Sequence, residues 1–307
     1  MQRNETLVTE FYLLGFMVTP VMEYLLFVII LVIYIAGIVI NSSIIAIVRT
    51  DQSLHKPMYF FISVFSFLEV WYPTVTVPGL LRSLLSRLKG ISVGCCIAQF
   101  YLHFSLGVTE NFLLVVMAFD RYVAICRPLH YIFIMSTKIC VRCALGAWIG
   151  GFLSVTLVLV QISKVTFCGP NVVDHYYCDF APLIHLGCSD TSSLETLFMV
   201  SCGLVIIICF LLILLSYSYI LRTILALPTS SGQSKAFYTC ASHLTVVLIF
   251  YGTTTFMFVR PTRESDLHTN KIVSVFPSVV TPVLNPFIHT LRNHEVKSAI
   301  WRTIHCV

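Results

Sequence analysis

Residues 196–221 read TLFMVSCGLVIIICFLLILLSYSYIL. No residue in that stretch is charged. A helix of this length, rising 1.5 Å per residue, covers the ~30 Å hydrocarbon core of a bilayer. Working outward, six more windows are long and apolar enough to span: roughly 24–48, 58–80, 97–120, 141–162, 237–259 and 272–291. Those at 58–80, 97–120 and 272–291 are weaker, because they carry Glu69, Glu110 and several prolines and asparagines. The 307-residue chain is 57% hydrophobic and 11% charged, with a mean hydropathy of +0.89. A soluble chain would carry about 25% charged residues. The composition excludes a cytosolic enzyme, a nucleic-acid binder and a disordered regulator, and predicts one all-α membrane domain, a bundle of seven helices over residues 1–307. No internal repeat or low-complexity segment is visible.

Seven spans put the termini on opposite sides, and the Lys/Arg bias sets which. With the N-terminus outside, the inner segments hold eleven cations against three anions, and the outer segments eight against nine. The split of +8 against −1 favours N-outside, against the resistance of an outer basic cluster at Arg82, Arg87 and Lys89. The first 20 residues lack the pattern of a cleaved signal. Asn4-Glu5-Thr6 is an N-glycosylation acceptor if lumenal.

Twelve cysteines are present, and Cys95, Cys96, Cys168, Cys178 and Cys188 fall on the outer side, where disulfides persist. Three sit in the one long outer connection, about 163–195. One bond from that loop to the third span and a second within the loop are expected; free thiols are the alternative. Tightly spaced His/Cys ligands for zinc are not apparent. Ionisable residues inside a bilayer are costly and suggest function. Glu69 and Glu110 either bind sodium, share a proton because like charges oppose double ionisation, or sit protonated as hydrogen-bonded packing contacts. No GxSxG, HExxH, P-loop or GxGxxG motif is present, so catalysis is not expected. Asp120-Arg121-Tyr122, at the inner end of the third span, reads on spacing alone as an interfacial charge cluster with a snorkelling arginine.

Longer strings say more. Asp120-Arg121-Tyr122 and Asn285-Pro286-Phe287-Ile288-His289 on seven spans resemble the rhodopsin-like (class A) G-protein-coupled receptors. LHKPMYFFIS at 54–63, MAFDRYVAICRPLHY at 117–131, KAFYTCASHLTVV at 235–247 and PVLNPFIHTLRN at 282–293 narrow the resemblance to the olfactory (odorant) receptors. HYYCD at 175–179 is also similar to that family, and the short loops and cysteine pattern resemble its tetrapod-type branch. The resemblance implies a plasma-membrane receptor of olfactory neuron cilia, coupled to the adenylyl-cyclase-stimulating olfactory G protein. It implies disulfides Cys96–Cys178 and Cys168–Cys188. Arg121 matches the arginine that meets the G protein when the bundle opens, and Tyr217 a tyrosine that swings toward it. Glu69 and Glu110 match an acidic pair tied to a sodium or proton site, and Tyr251 the aromatic beneath the ligand. One departure is His289, where the family carries tyrosine; a titratable imidazole replaces a phenol at a hinge contact. A lesser one is Glu69, where many relatives carry aspartate.

Ligands of helix bundles sit between helices. On the third span His103, Phe104, Gly107 and Val108 share an inward face. Ser201, Cys202 and Val205 on the fifth, Tyr251, Thr254, Thr255 and Phe258 on the sixth, and Val275 and Ser278 on the seventh complete the expected pocket. It lacks a mid-span aspartate for an amine. A small, neutral, volatile molecule is implied, with His103 as its polar anchor; a helix–helix hydrogen bond is that residue's other reading. Arg260, at the outer lip, could meet an acidic ligand, but snorkelling to the outer headgroups is the favoured reading. For about ten heavy atoms at roughly −0.3 to −1.5 kcal/mol each, micromolar affinity is expected. Past Pro286, Val296, Ile300 and Ile304 predict a short amphipathic helix on the inner leaflet, with Cys306 either palmitoylated or a bare thiol. Residues 222–235, holding Pro228 and Gly232, predict a short inner loop which, with 121–130, faces the G protein. A non-olfactory class A receptor for a small lipid or metabolite is the runner-up. A transporter would show inverted repeats or broken helix pairs, which are not visible.

Overall fold

The structure, a computed structural model, describes residues 8–16, 18–85, 90–168, 171–258, 267–291 and 294–305. Strand β1 (Glu10–Leu13) precedes α1 (Pro20–Thr50) and α2 (Pro57–Leu85); β2 (Gly90–Ser92) leads into α3 (Val93–Cys126), then the short α4 (Tyr131–Ile134) and α5 (Thr137–Ile162). The long outer loop carries β3 (Val172–Val173) and α6 (Phe180–Ile184). Then come α7 (Ser192–Leu225), α8 (Ser230–Phe258), α9 (Leu267–Val273), α10 (Thr281–Leu291) and α11 (His294–His305). The seven helices long and apolar enough to cross a membrane are α1, α2, α3, α5, α7, α8 and the α9–α10 pair. Most run past their apolar windows, since a helix continues through the headgroups while its side chains turn polar.

The stretch that opened the sequence shows how the bundle faces lipid. On α7, Leu204, Ile207, Ile208, Leu211 and Leu215 are each more than half exposed and fall on one face. Ile206, Cys209, Ile213, Tyr217 and Ile220, at complementary helical spacing, are buried against the bundle. Buried small residues let helices approach closely. A Cβ on Gly151 of α5 would meet the Thr109 side chain and come within 2.9 Å of the Ser105 carbonyl oxygen of α3.

The seventh span is not one regular helix. A π-helical stretch, Phe276–Val280, lies between α9 and α10, where Pro277 lacks the amide a regular ladder needs. Further in, Pro286 cannot donate to the carbonyl of Pro282. Asn41 of α1 satisfies it, its Nδ2 donating to Pro282 O and Gly37 O at 2.9 Å each. A polar residue inside an apolar span is thus explained by a proline four positions along a neighbouring one.

Two expectations are corrected. The inner loop is shorter than residues 222–235: α7 runs to Leu225 and α8 starts at Ser230. Gln233 permits the tight turn, its Nε2 donating to Leu227 O at 3.0 Å at the carboxyl end of α7. The outer surface is also not purely helical. β1 pairs antiparallel with β2, Phe11 opposite Ile91, and parallel with β3, Tyr12 opposite Val172. This pins the N-terminal segment across the outer mouth. Phe11 is fully buried edge-on to Phe167, ring centroids 5.1 Å apart.

Candidate functional site: an outer cavity, a polar core and an inner switch

The outer loop is tied into the bundle at residue 178. Cys96 of α3 and Cys178 are disulfide-bonded, Cα atoms 5.4 Å apart, and Cys168–Cys188 closes the loop on itself. Gln99, one turn below Cys96, accepts from Cys178 N at 3.0 Å and donates to Val75 O of α2 at 2.8 Å. Lys271 of α9 pairs with Asp174 at 2.6 Å. Between these ties His175, Tyr176 and Tyr177 fold inward and are buried. Burial, reinforced by the Lys271 charge, holds the His175 imidazole well below its ordinary pKa. Burial also raises the Asp179 carboxyl to about 6, against the lowering effect of the Phe180 amide and the Tyr177 hydroxyl.

Beneath this knot lies a cavity of about 60 Å³. Of the thirteen pocket residues expected from sequence, eight line it: His103, Phe104, Gly107, Val108, Cys202, Val205, Thr254 and Ser278. The others are placed elsewhere. Thr255 is exposed, since one residue turns 100° around α8 from Thr254 and toward lipid. Ser201 is half-buried beside the wall. Val275 packs with Ile30 and Val77 on the α1–α2 side. Tyr251 is buried against Phe210 and Phe250, centroids 5.1 and 5.4 Å away, outside the lining. The side chain of Phe258 lies outside the described residues, as do Asn4, Arg260, Cys306 and the side chain of His289.

Sequence reasoning missed Tyr72, Asn111, Tyr177, Ile206, Phe250, Met257, Ser274 and Pro277, which complete the wall. Tyr177 was signalled by its place beside the cysteine that must reach the third span. Tyr72 carried no such signal. Both matter to His103, whose ring stacks on Tyr72 (centroids 4.8 Å apart) and packs at a tilt against Tyr177 (4.5 Å). The Tyr72 hydroxyl shares a 3.3 Å hydrogen bond with His103 Nε2, while the buried Nδ1 has no partner. The helix–helix hydrogen bond expected of this histidine is therefore present, and its second nitrogen is left without a partner.

Glu69, Glu110, Asn41, Asn111 and Asn285 are buried polar residues within the spans, Asn111 in the cavity wall itself. Asn285 Nδ2 donates to Glu69 Oε1, and Asn111 Nδ2 to Gly107 O at 3.0 Å. Asn41 Oδ1, Glu110 Oε1, Asn111 Oδ1 and Asn285 Oδ1 are buried acceptors that lack donors. Among the described residues no group of three or more His, Cys, Asp or Glu side chains is arranged around a common metal position.

At the inner end Arg121 is buried and 3.8 Å from Asp120, which also accepts from Tyr131 OH at 2.9 Å. The Tyr131 phenol is raised, first by burial and then by the Asp120 charge. Tyr217 of α7 meets His243 Nδ1 of α8 at 2.8 Å, and Tyr122 packs edge-on to Tyr219. Pro286 is buried. The arginine is thus covered. α11 forms as expected, burying Val296 and Ala299. It is clamped by Lys56–Glu295 and Arg302–Asp51, each at 2.7 Å. Hydrogen bonds from Ser53 and the Arg302 contact hold the Asp51 carboxyl down at about 2.

The family profile described as olfactory receptor matches residues 30–306. The chain belongs to the olfactory receptor family. Human olfactory receptor 6F1 is 48% identical, over 97% of this chain and 96% of its own length. Human olfactory receptor 6B1 is 47% identical over 99% and 97%, and mouse olfactory receptor 6B9 45% identical over 98% and 95%. The chain is an odorant receptor, a multi-pass plasma-membrane protein of a G-protein-coupled family that is not enzymatic. The receptor's seven spans are capped at one end by the loop tied at Cys178 and bury Arg121 at the other.

Proposed function

We propose that a small, mostly neutral volatile molecule binds in the cavity beneath the outer loop, and that its binding opens the inner face to a cAMP-raising olfactory G protein. The carrying observation is the lining: aromatic and aliphatic walls with one imidazole whose Nδ1 is unpartnered. A wall of this kind supplies dispersion plus a few hydrogen bonds, from the imidazole and from the unpartnered Asn111 Oδ1, which suits an alcohol, aldehyde or ketone better than an ion. At roughly 15 Å³ per water, a cavity of about 60 Å³ takes about four waters. A ligand of about ten heavy atoms therefore has to push its walls apart. It acts by binding the expanded arrangement better than the closed one, because equal affinity shifts no population.

The N-terminus faces outside, with Asn4 as its glycan acceptor, and the receptor resides in olfactory cilia. On the inside, Leu129, Ile132 and Phe133 are at least 80% exposed, an apolar patch that favours a protein partner. That partner meets Asp120, Arg121 and Tyr122 once Tyr217 leaves His243, with Asn285, Pro286 and His289 as the hinge. Glu69 and Glu110 hold a sodium ion or a shared proton in the closed state. The orphaned oxygens around them suit a hard cation, which takes oxygen ligands.

The test is a cAMP assay in cells expressing the receptor with the olfactory G protein. A panel of volatile ligands should evoke responses at micromolar concentration. Good surface expression with silence across a broad panel would count against this reading.

A further inference from the structure

Donors and acceptors are not balanced in the cavity wall. Asn111 is the lining residue of α3 farthest from the outer loop. Its Nδ2 donates to Gly107 O at 3.0 Å. A carbonyl can only accept, so this contact fixes which end of the amide is nitrogen. Oδ1 is left buried and without a donor. Thr254 of α8 is a second such case. Its hydroxyl proton goes to Phe250 O at 2.8 Å, so toward any other partner it acts as an acceptor.

The reverse kind of group, one able only to donate, is missing from this wall. Among the described residues no lysine, arginine or tryptophan lines the cavity. The Tyr72 hydroxyl is engaged with His103 Nε2, the Tyr177 hydroxyl with Asp179, and the Ser274 hydroxyl with Lys271 O. The His103 imidazole and the Ser278 hydroxyl can each take either role, and the Cys202 thiol is weak in both. None of these chooses between a donating and an accepting ligand. Asn111 and Thr254 do choose.

That imbalance sets the chemistry of the occupant. A molecule that fills the cavity and has no proton to give leaves Asn111 Oδ1 dry and unpaired. A ketone or an ether placed there sets lone pair against lone pair. A hydroxyl supplies the missing proton. An alkylammonium also donates, but no carboxylate lines the cavity to balance its charge, and burying an unpaired charge is costly.

We infer that the cavity selects neutral hydroxyl donors, alcohols and phenols, over carbonyl compounds and ethers of the same shape. Asn111 Oδ1 is the specificity-determining acceptor, and Thr254 Oγ1 the second. The inference rests on the ligand site proposed above and narrows what that site takes.

The test compares ligands in pairs on shared carbon skeletons, each pair an alcohol and its matching aldehyde or ketone. Dose–response curves for cAMP are taken in cells expressing the full-length receptor with the olfactory G protein. For each skeleton with an active member, the alcohol should be more potent by about five- to 150-fold, the cost of orphaning one buried acceptor. Asn111→Leu, similar in shape, removes that acceptor, and Gly107 O keeps the backbone bond it receives within the helix. The alcohol should then lose potency while its carbonyl partner gains, because the orphan has gone. A folding defect would weaken both. Thr254→Val should give the same crossing on a smaller scale, and takes the place of Asn111→Leu should that variant fail to reach the surface. Carbonyl compounds as potent as their alcohols, or more so, would overturn the inference and leave the site standing. An alcohol preference that survives both substitutions would overturn the assignment to these acceptors. Silence to every pair, with receptor at the surface, would overturn the ligand site and this inference with it.

Discussion

Replacing His103 with phenylalanine separates what its ring does from what its nitrogens do. The aromatic packing against Tyr72 and Tyr177, at 4.8 and 4.5 Å, is largely preserved. The bond to Tyr72 and the unpartnered Nδ1 are both lost. If Nδ1 anchors the ligand, one net hydrogen bond of about 0.5–1.5 kcal/mol disappears. That is about a two- to thirteenfold rise in half-effective concentration. The rise should appear for ligands with a hydroxyl or carbonyl and be absent for hydrocarbon ligands of the same shape. A second effect must be separated from it. His103→Phe leaves the Tyr72 hydroxyl buried without its partner, at about 1–3 kcal/mol of stability. Tyr72→Phe in the same receptor removes that orphan. The double variant should regain melting temperature while keeping the loss of potency. Dose–response curves for matched ligand pairs, taken alongside surface expression, read both effects. Equal shifts for the oxygenated and hydrocarbon ligands, or none for either, would refute the anchoring role.

Gln99→Leu cuts the link between Val75 and Cys178; it should lower stability by about 1–3 kcal/mol and speed hydrogen exchange at residues 175–179 while leaving the disulfide intact. Gly151→Val should separate α3 from α5 and reduce the folded yield sharply, whereas substitution of Gly146, which has open space around it, should be tolerated; size-exclusion profiles of detergent extracts compare them. The Asp179 carboxyl sits at about 6 when folded and near 3.9 when unfolded. The folded state therefore binds more protons across that window, and outer-loop stability falls as pH rises from about 4 to 6, then levels off. Asp179→Asn should flatten the profile and stabilise the loop at neutral pH, by at most about 3 kcal/mol, as measured by proteolysis against pH. Glu295→Lys sets two cations against each other where Lys56 and Glu295 now pair; it should release α11, seen as faster exchange in residues 294–305, with at most about 1 kcal/mol lost from this exposed contact.

The spans were legible because a bilayer imposes a minimum run of apolar residues, a demand that leaves a mark in one dimension. Pairings that depend on depth and rotation left weaker marks. His103, Phe104, Gly107 and Val108 emerged from helical periodicity, but periodicity misassigned Thr255, where one step of 100° separates cavity from lipid. The strand at Glu10–Leu13 has no pattern of its own, and its partners lie about 80 and 160 positions away. The role of Asn41 is invisible until Pro286 is seen to free a carbonyl on a different helix. Tyr72 was missed because nothing local distinguishes a tyrosine that reaches a cavity from one that packs in a span.

The central claim is that a molecule seated under the outer loop changes the shape of the inner face. Spin labels introduced at Leu129 and Phe237, both exposed at the inner ends of the bundle, read that change directly by pulsed electron resonance. Adding an odorant together with the G protein should lengthen the distance between α8 and the segment after α3 by several ångströms, and His103→Phe should require more odorant for the same shift. A distance distribution that stays fixed while the same preparation activates the G protein would contradict the account.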